Sequence, residues 1–176
     1  RVSAEKVAEI KAQWGLDEPP VVQYFYWIRN VLHGDFGTSI SLKQSVSDLI
    51  LQRLPYTLML TGAALLIEYI IAIPLGLLAA VKKNSAADKS LTVMTIVLWS
   101  MPPFWLGVLF ILTFSVWLKI LPISGWDGFA SLILPAFTLA LPALAQIFRL
   151  TRSEVLDVLD EKYVTTAYAK GLKNKV

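Results

Sequence analysis

The stretch that decides the fold is Tyr56 to Val81, which reads YTLMLTGAALLIEYIIAIPLGLLAAV and is closed by Lys82 and Lys83. A helix needs roughly 17–25 mainly apolar residues to cross the hydrocarbon core of a bilayer. This run meets that requirement with Glu68 as its one charged residue. It therefore predicts a membrane-spanning helix.

Two more apolar runs follow, at residues 91–118 and 130–150, and the first of them is interrupted by Pro102-Pro103. Hydrophobic residues make up 56% of the chain and the mean hydropathy is +0.60, whereas soluble domains have about 45–50% apolar residues. Three such runs with short connections disfavour a buried soluble bundle. The sequence predicts an all-α, polytopic helical membrane protein with about three transmembrane helices, at residues 56–81, 91–118 and 130–150.

The distribution of Lys and Arg predicts the orientation of these spans. Short loops rich in these residues stay in the cytoplasm. The loop 82–90 carries three lysines against Asp88, and residues 151–176 carry five Lys or Arg residues, whereas the loop 119–129 carries one lysine against Asp127. Residues 151–176 are therefore predicted to be cytoplasmic, and residues 1–55 to form an external, periplasmic-side helical segment.

That external segment is predicted to hold amphipathic helices and one turn. The helices are expected from Ser3 to about Trp14, from Pro19-Pro20 onward, and from Ser45 to Arg53 before Pro55. Gly34 to Ser39 has the composition of a turn.

Polar and helix-breaking residues within the spans are candidates for a translocation path. A carboxylate such as Glu68 is costly in the bilayer and is expected to face the bundle interior or a water-filled path. It either lines the path or fixes helix packing, and the sequence leaves both readings open. Pro102 and Pro103 are the other path candidates, because proline interrupts a helix.

Several classes of site are disfavoured by the composition. The formal charge of +3 is too small to indicate nucleic-acid binding, and the absence of cysteine excludes disulfides and thiolate metal sites within this sequence. The single histidine, His33, has no partner at metal-ligand spacing, so no metal site is predicted. With no catalytic motif and no phosphate-binding loop, no catalytic residue and no cofactor are predicted in this chain.

The cytoplasmic stretch Glu161 to Leu172, EKYVTTAYAKGL, carries the most specific motif. It is predicted to form a short helix that ends at Gly171. It resembles the coupling segment, or EAA loop, of the dipeptide/oligopeptide/nickel family of bacterial ABC importer permeases. The matching residues are Tyr163, Val164, Thr166, Ala167, Ala169, Lys170, Gly171 and Leu172.

The resemblance extends along the chain in the same order. The stretches that carry it are LDEP at 16–19, HGDFGTS at 33–39, RLPYT at 53–57, IPLG at 73–76 and SMPPFW at 100–105. The family usually has about six spans, with one before the external region and two after the coupling helix. The sequence is therefore expected to be truncated at both ends.

The resemblance implies a permease subunit of an ATP-driven importer in the bacterial or archaeal inner membrane. Thr165, Thr166 and Ala167 occupy the Glu-Ala-Ala positions of the motif, and Thr165 departs from its glutamate. The implied partners are a second homologous permease subunit, cytoplasmic ATPase subunits that hold ATP and Mg²⁺, an extracytoplasmic solute-binding protein and the lipid bilayer, but no nucleic acid.

Two other functions remain open on the residues alone. A secondary transporter would use Glu68 for proton coupling, and a non-transporting membrane scaffold would use the cytoplasmic helix to recruit a partner. The solute is left open between a dipeptide, a longer peptide, nickel or another small compound.

Overall fold

The computed structural model describes Lys11 and residues 18–171, with only the backbone for Tyr168. Within residues 18–171 the regular structure is helical: α1 Pro20–Leu32, α2 Val46–Val81, α3 Ala86–Ser100, α4 Pro103–Phe110, a π-helix Ile111–Trp117, α5 Ala130–Leu159 and α6 Lys162–Ala169. An isolated bridge between Thr38 and Ser45 is the β structure found in this part of the chain. The all-α prediction is confirmed, whereas the predicted helix from Ser3 to Trp14 lies almost entirely outside the described residues.

The chain forms two compact units, residues 1–57 and residues 58–176. In the first unit, α1 begins with a proline in its first turn, after Pro19 as N-cap, as the sequence predicts. Gly34 and Gly37 have φ angles of +83° and +76°, which confirms the predicted turn. The Ser47 hydroxyl donates a hydrogen bond of 2.6 Å to the Gly34 carbonyl and ties this turn to the start of α2.

Helix α2 corrects one predicted boundary. The sequence predicts a separate short helix from Ser45 to Arg53, but α2 is a single helix of 36 residues that passes through Pro55. A proline in a helix removes one hydrogen bond, and the remaining bonds on either side sustain the helix. At about 1.5 Å per residue α2 is about 54 Å long, which exceeds the roughly 30 Å of a bilayer core. It therefore extends beyond the hydrocarbon region.

The predicted second span is broken. Helix α3 ends at Ser100, and the axis of the following α4 and π-helix is bent from it by 100°. Met101 and Pro102 both have extended ψ angles, of 128° and 134°, because each precedes a proline and proline disfavours the α conformation of the residue before it. By length and composition two helices, α2 and α5, can cross a membrane, and the bent pair makes a third if it is one span.

Helix α5 extends beyond the predicted third span. The predicted third span ends at Leu150, but α5 continues without interruption to Leu159 and contains Pro135 and Pro142. The residues after Leu150 include Arg152, Glu154 and Leu156, which all favour helix. The helix that enters the membrane therefore also forms part of the predicted cytoplasmic segment.

Helices α2 and α5 pack closely through small residues. Ala72 and Ala79 of α2 form a buried cluster with Leu144 and Phe148 of α5. A Cβ atom placed on Gly76 would lie 2.8 Å from Thr151 Cβ and 3.0 Å from the Phe148 carbonyl oxygen. Only glycine allows the two backbones to approach this closely.

Candidate functional site

The coupling segment predicted from the sequence is the short helix α6. It begins after Asp160, the C-cap of α5, and the Val164 amide donates to the Glu161 carbonyl at 3.1 Å in its first turn. Beyond its end, Gly171 has a φ of +79°. A left-handed residue here ends the helix and favours glycine, so the predicted helix and its end at Gly171 are confirmed. Leu172 lies outside the described residues.

Helix α6 has one half-buried face and one exposed face. Val164 and Ala167 are half-buried, and α6 contacts α5. On the exposed face lie Tyr163, with 63% of its surface exposed, Thr166 and Lys170. These three side chains lie on one side of the helix at spacings of three and four residues. We call them the α6 outer face.

The threonines of the motif are both engaged with the helix backbone. The Thr166 hydroxyl donates to the Lys162 carbonyl at 2.8 Å, and the Thr165 hydroxyl donates to the Glu161 carbonyl at 3.4 Å. Both residues, like Ala169, are exposed. The segment therefore presents methyl groups, a phenol ring and an ammonium group, with no carboxylate at position 165.

Helix α5, which leads to α6, is held by a buried ion pair that the sequence analysis missed. Arg152 Nε lies 2.6 Å from Asp88 Oδ1, and Arg152 Nη2 lies 2.8 Å from Asp88 Oδ2. The Asp88 side chain is 4% exposed and that of Arg152 is 28% exposed. Such a two-bond pair is both strong and geometrically specific.

Asp88 also organises the connection between α2 and α3. Its Oδ2 accepts a hydrogen bond of 2.9 Å from the Asn84 amide, and its own amide donates to the Ser85 hydroxyl, the N-cap of α3. The sequence contains a signal for the start of α3 at this point, because Ser85-x-x-Asp88 has the form of a capping box. Its distant partner, Arg152, had been counted only as a cytoplasmic charge.

Two weaker contacts join the same segments. The guanidinium carbon of Arg149 lies 4.6 Å from the centre of the Trp99 ring, within the range of a cation–π interaction. Lys83 Nζ lies 3.8 Å from Asp160 Oδ2, with both side chains more than half exposed. Exposed pairs of this kind contribute little stability.

The three candidates for the translocation path, Glu68, Pro102 and Pro103, lie away from this ion pair in the unit of residues 58–176. Glu68 is 8% exposed and belongs to a buried face of α2 together with Ala64, Ala72 and Gly76. These residues repeat every four positions, and Gly76 at the same face touches α5. Pro102 and Pro103 form the break between α3 and α4 and are exposed.

A mostly apolar cavity of about 460 Å³ lies between α4, the π-helix and α5. Gly107 and Ile111 line it on one side, Thr138 on another, and the loop from Pro122 to Gly125 closes part of it. The Ser115 hydroxyl donates to the Pro122 carbonyl at 3.1 Å and holds this loop. None of the three path candidates lines this cavity.

Among the described residues, no group of three His, Cys, Asp or Glu side chains is placed to hold a metal ion. The expectation that this chain has no metal or cofactor of its own stays a prediction.

Comparison with known proteins identifies the family. Residues 72–175 match the model of the binding-protein-dependent transport system inner membrane component family. The chain is 41% identical over 172 residues to the oligopeptide transport system permease protein AppB of Bacillus subtilis, covering 92% of this chain and 54% of that protein. It is 35% identical over 202 residues to the dipeptide transport system permease protein DppB of Escherichia coli K12, covering 97% of this chain and 60% of that protein.

The chain thus spans a little over half the length of these curated relatives. The family match covers more than half of the chain, from the middle of α2 to beyond α6. The apolar helices α2 and α5 agree with a multi-pass protein of the inner membrane. The chain belongs to the binding-protein-dependent transport system inner membrane component family.

Proposed function

We propose that this chain is part of a permease subunit of an ATP-driven importer for peptides or related small solutes. The subunit forms half of a translocation path together with a second homologous permease subunit. ATP and Mg²⁺ are bound and used on separate cytoplasmic subunits, and an extracytoplasmic binding protein delivers the solute. The peptide class comes from the names of the relatives AppB and DppB.

The observation that carries this proposal is the α6 outer face. Tyr163, Thr166 and Lys170 are exposed on a helix that is joined to the membrane-spanning helix α5 by only two residues, Asp160 and Glu161. A large exposed aromatic side chain beside a polar rim is typical of a surface that binds another protein. The proposed role of this face is to dock on the ATPase subunit.

The proposed mechanism is alternating access. Closure of the two ATPase subunits moves α6, and the spans change from one opening to the other. A ligand can shift such an equilibrium only as far as it binds the two states with different affinity. The path candidates Glu68, Pro102 and Pro103 keep their proposed role in this mechanism, with helix packing as the other reading for Glu68.

The test is co-purification of the complete permease with the ATPase subunits encoded beside its gene. Tyr163→Asp should abolish co-purification, because a carboxylate replaces the exposed aromatic ring without disturbing a buried contact. Val158→Asp on α5 is the matched control, since Val158 is also an exposed apolar residue, at 47% exposure, and lies outside α6. The control should bind the ATPase normally.

Gly171→Pro is the second variant, because proline cannot adopt the positive φ that ends α6. It should abolish binding while the permease remains in the membrane. If the wild-type permease does not bind the ATPase subunits, the importer assignment is wrong, and proton-coupled transport through Glu68 becomes the hypothesis to test.

A further inference from the structure

The ion pair between Asp88 and Arg152 joins two parts of the chain that meet at the cytoplasmic end of the helices. Arg152 lies on α5, about two turns before the end of that helix at Leu159. Asp88 lies in the first turn of α3, immediately after the connection from α2. Each carboxylate oxygen accepts one hydrogen bond from the guanidinium group, so the two helices are fixed in distance and in rotation.

The Asp88–Arg152 pair holds the connection between α2 and α3 as well as helix α5. The same Asp88 carboxylate accepts the Asn84 amide, and Asn84 is held at a φ of +66°. Ser85 caps α3 through the Asp88 amide. A displacement of Arg152 would therefore be transmitted to residues 84–88 through the hydrogen bonds of the Asp88 carboxylate.

Two further contacts near the ion pair also join α5 to α3 and to α2. Arg149, about one turn nearer the predicted membrane region, lies over Trp99 of α3. Gly76 of α2, on the other side, lies against Phe148 and Thr151 of α5. The cytoplasmic half of α5 is thus bound both to the end of α2 and to α3.

We propose that the Asp88–Arg152 pair is the rigid contact that transmits movement of α6 to the first two spans, so that the end of α2, the 82–85 connection, the start of α3 and α5 move as one body. This proposal rests on the proposed function, because it assumes that α6 is moved by an ATPase. Asp88 and Arg152 are positioning residues in it. They do not touch solute or nucleotide.

The test is a comparison of solute uptake with ATP hydrolysis in the complete transporter, with its binding protein, in liposomes. Asp88→Asn and Arg152→Gln should retain the bound ATPase subunits and their ATP hydrolysis, while the amount of solute imported per ATP falls at least fivefold. Arg152→Lys, which keeps the charge but loses one hydrogen bond, should give an intermediate ratio.

Lys83→Gln is the matched control, because Lys83 joins the same two segments through an exposed pair of 3.8 Å with Asp160. Its ratio of uptake to hydrolysis should equal that of the wild type. If uptake and hydrolysis fall together in the Asp88 and Arg152 variants, in proportion to the amount of folded protein, the pair only stabilises the fold and the proposal is wrong.

A second measurement does not depend on the variants folding. Spin labels at the exposed positions Lys82 and Asp157, in a permease free of other cysteines, report the distance between the connection and α5. This distance should be the same in the nucleotide-free and the ATP-trapped transporter, whereas a change of several ångström would overturn the proposal. If the wild-type transporter shows no ATP-dependent uptake, the proposed function itself fails, which is a different result from a changed ratio.

Discussion

Replacement of Gly76 by alanine tests the close packing of α2 on α5. The new Cβ atom would lie 2.8 Å from Thr151 Cβ and 3.0 Å from the Phe148 carbonyl oxygen. Non-bonded carbon atoms are at their optimum at about 3.5–4.0 Å, so the Cβ–Cβ distance is too short by roughly 0.7 Å or more. The Phe148 oxygen belongs to the backbone of a continuous helix and cannot rotate away.

The expected change in the free energy of unfolding follows from two opposing effects. Overpacking of a well-packed contact costs about 1–3 kcal/mol. Alanine in place of glycine within a helix returns about 0.5–1 kcal/mol. Gly76→Ala should therefore destabilise the protein by about 0–2.5 kcal/mol net, and each kcal/mol lowers the melting temperature by roughly 2–4 °C in a domain of 150–250 residues.

The assay is thermal unfolding of the purified full-length permease in detergent, followed by tryptophan fluorescence. Gly62→Ala is the matched control in the same helix, because a Cβ at Gly62 meets no atom within 4 Å. This control should unfold at the wild-type temperature or slightly above it. If Gly76→Ala unfolds no earlier than Gly62→Ala, the argument that a glycine is required for the approach of α2 and α5 is refuted.

Three other predictions concern single features of the spans. Glu68→Gln separates the two readings of this buried side chain: if Glu68 fixes helix packing, the variant should retain normal yield and at least half of the uptake rate, whereas a loss of uptake at normal yield would show that the carboxylate acts in the path. Ser115→Ala removes the bond to the loop after the π-helix and should cost about 1 kcal/mol, seen as faster hydrogen exchange in that loop; unchanged exchange would contradict it. Alanine at both prolines of the break should release the extended backbone there, so that spin labels at the exposed positions Val97 and Val108 move apart; an unchanged distance would show that packing, not proline, imposes the bend.

The features that could be predicted from the sequence are those with a local signal. A long apolar run is sufficient to indicate a helix such as α2, because a bilayer requires that length and composition. Proline in the first turn of α1 and glycine at position 171 mark helix ends through their own backbone preferences. The break after Ser100 was visible in the two prolines.

The features that could not be predicted depend on residues far apart in the sequence or on geometry. Pro102-Pro103 indicates a break but not an angle of 100°. Asp88 and Arg152 are 64 positions apart, and each taken alone is an ordinary charge in a segment predicted to be cytoplasmic. The predicted helix end at Arg53 was wrong because the polarity changes there while α2 continues. The π-helix has no local signature in this sequence.

The distance in sequence between Asp88 and Arg152 has a consequence for the synthesis of the protein. The chain is made from its N-terminus, so Asp88 leaves the ribosome 64 residues before its partner. During that interval the ion pair cannot form, and of the folded-state partners only the local ones, Asn84 and Ser85, are already synthesised. The final arrangement of α3 can therefore be completed only after the part of α5 that carries Arg152 has been synthesised. Assembly of these helices is in this respect a late event, and a chain arrested before Arg152 would lack the ion pair that joins α3 to α5.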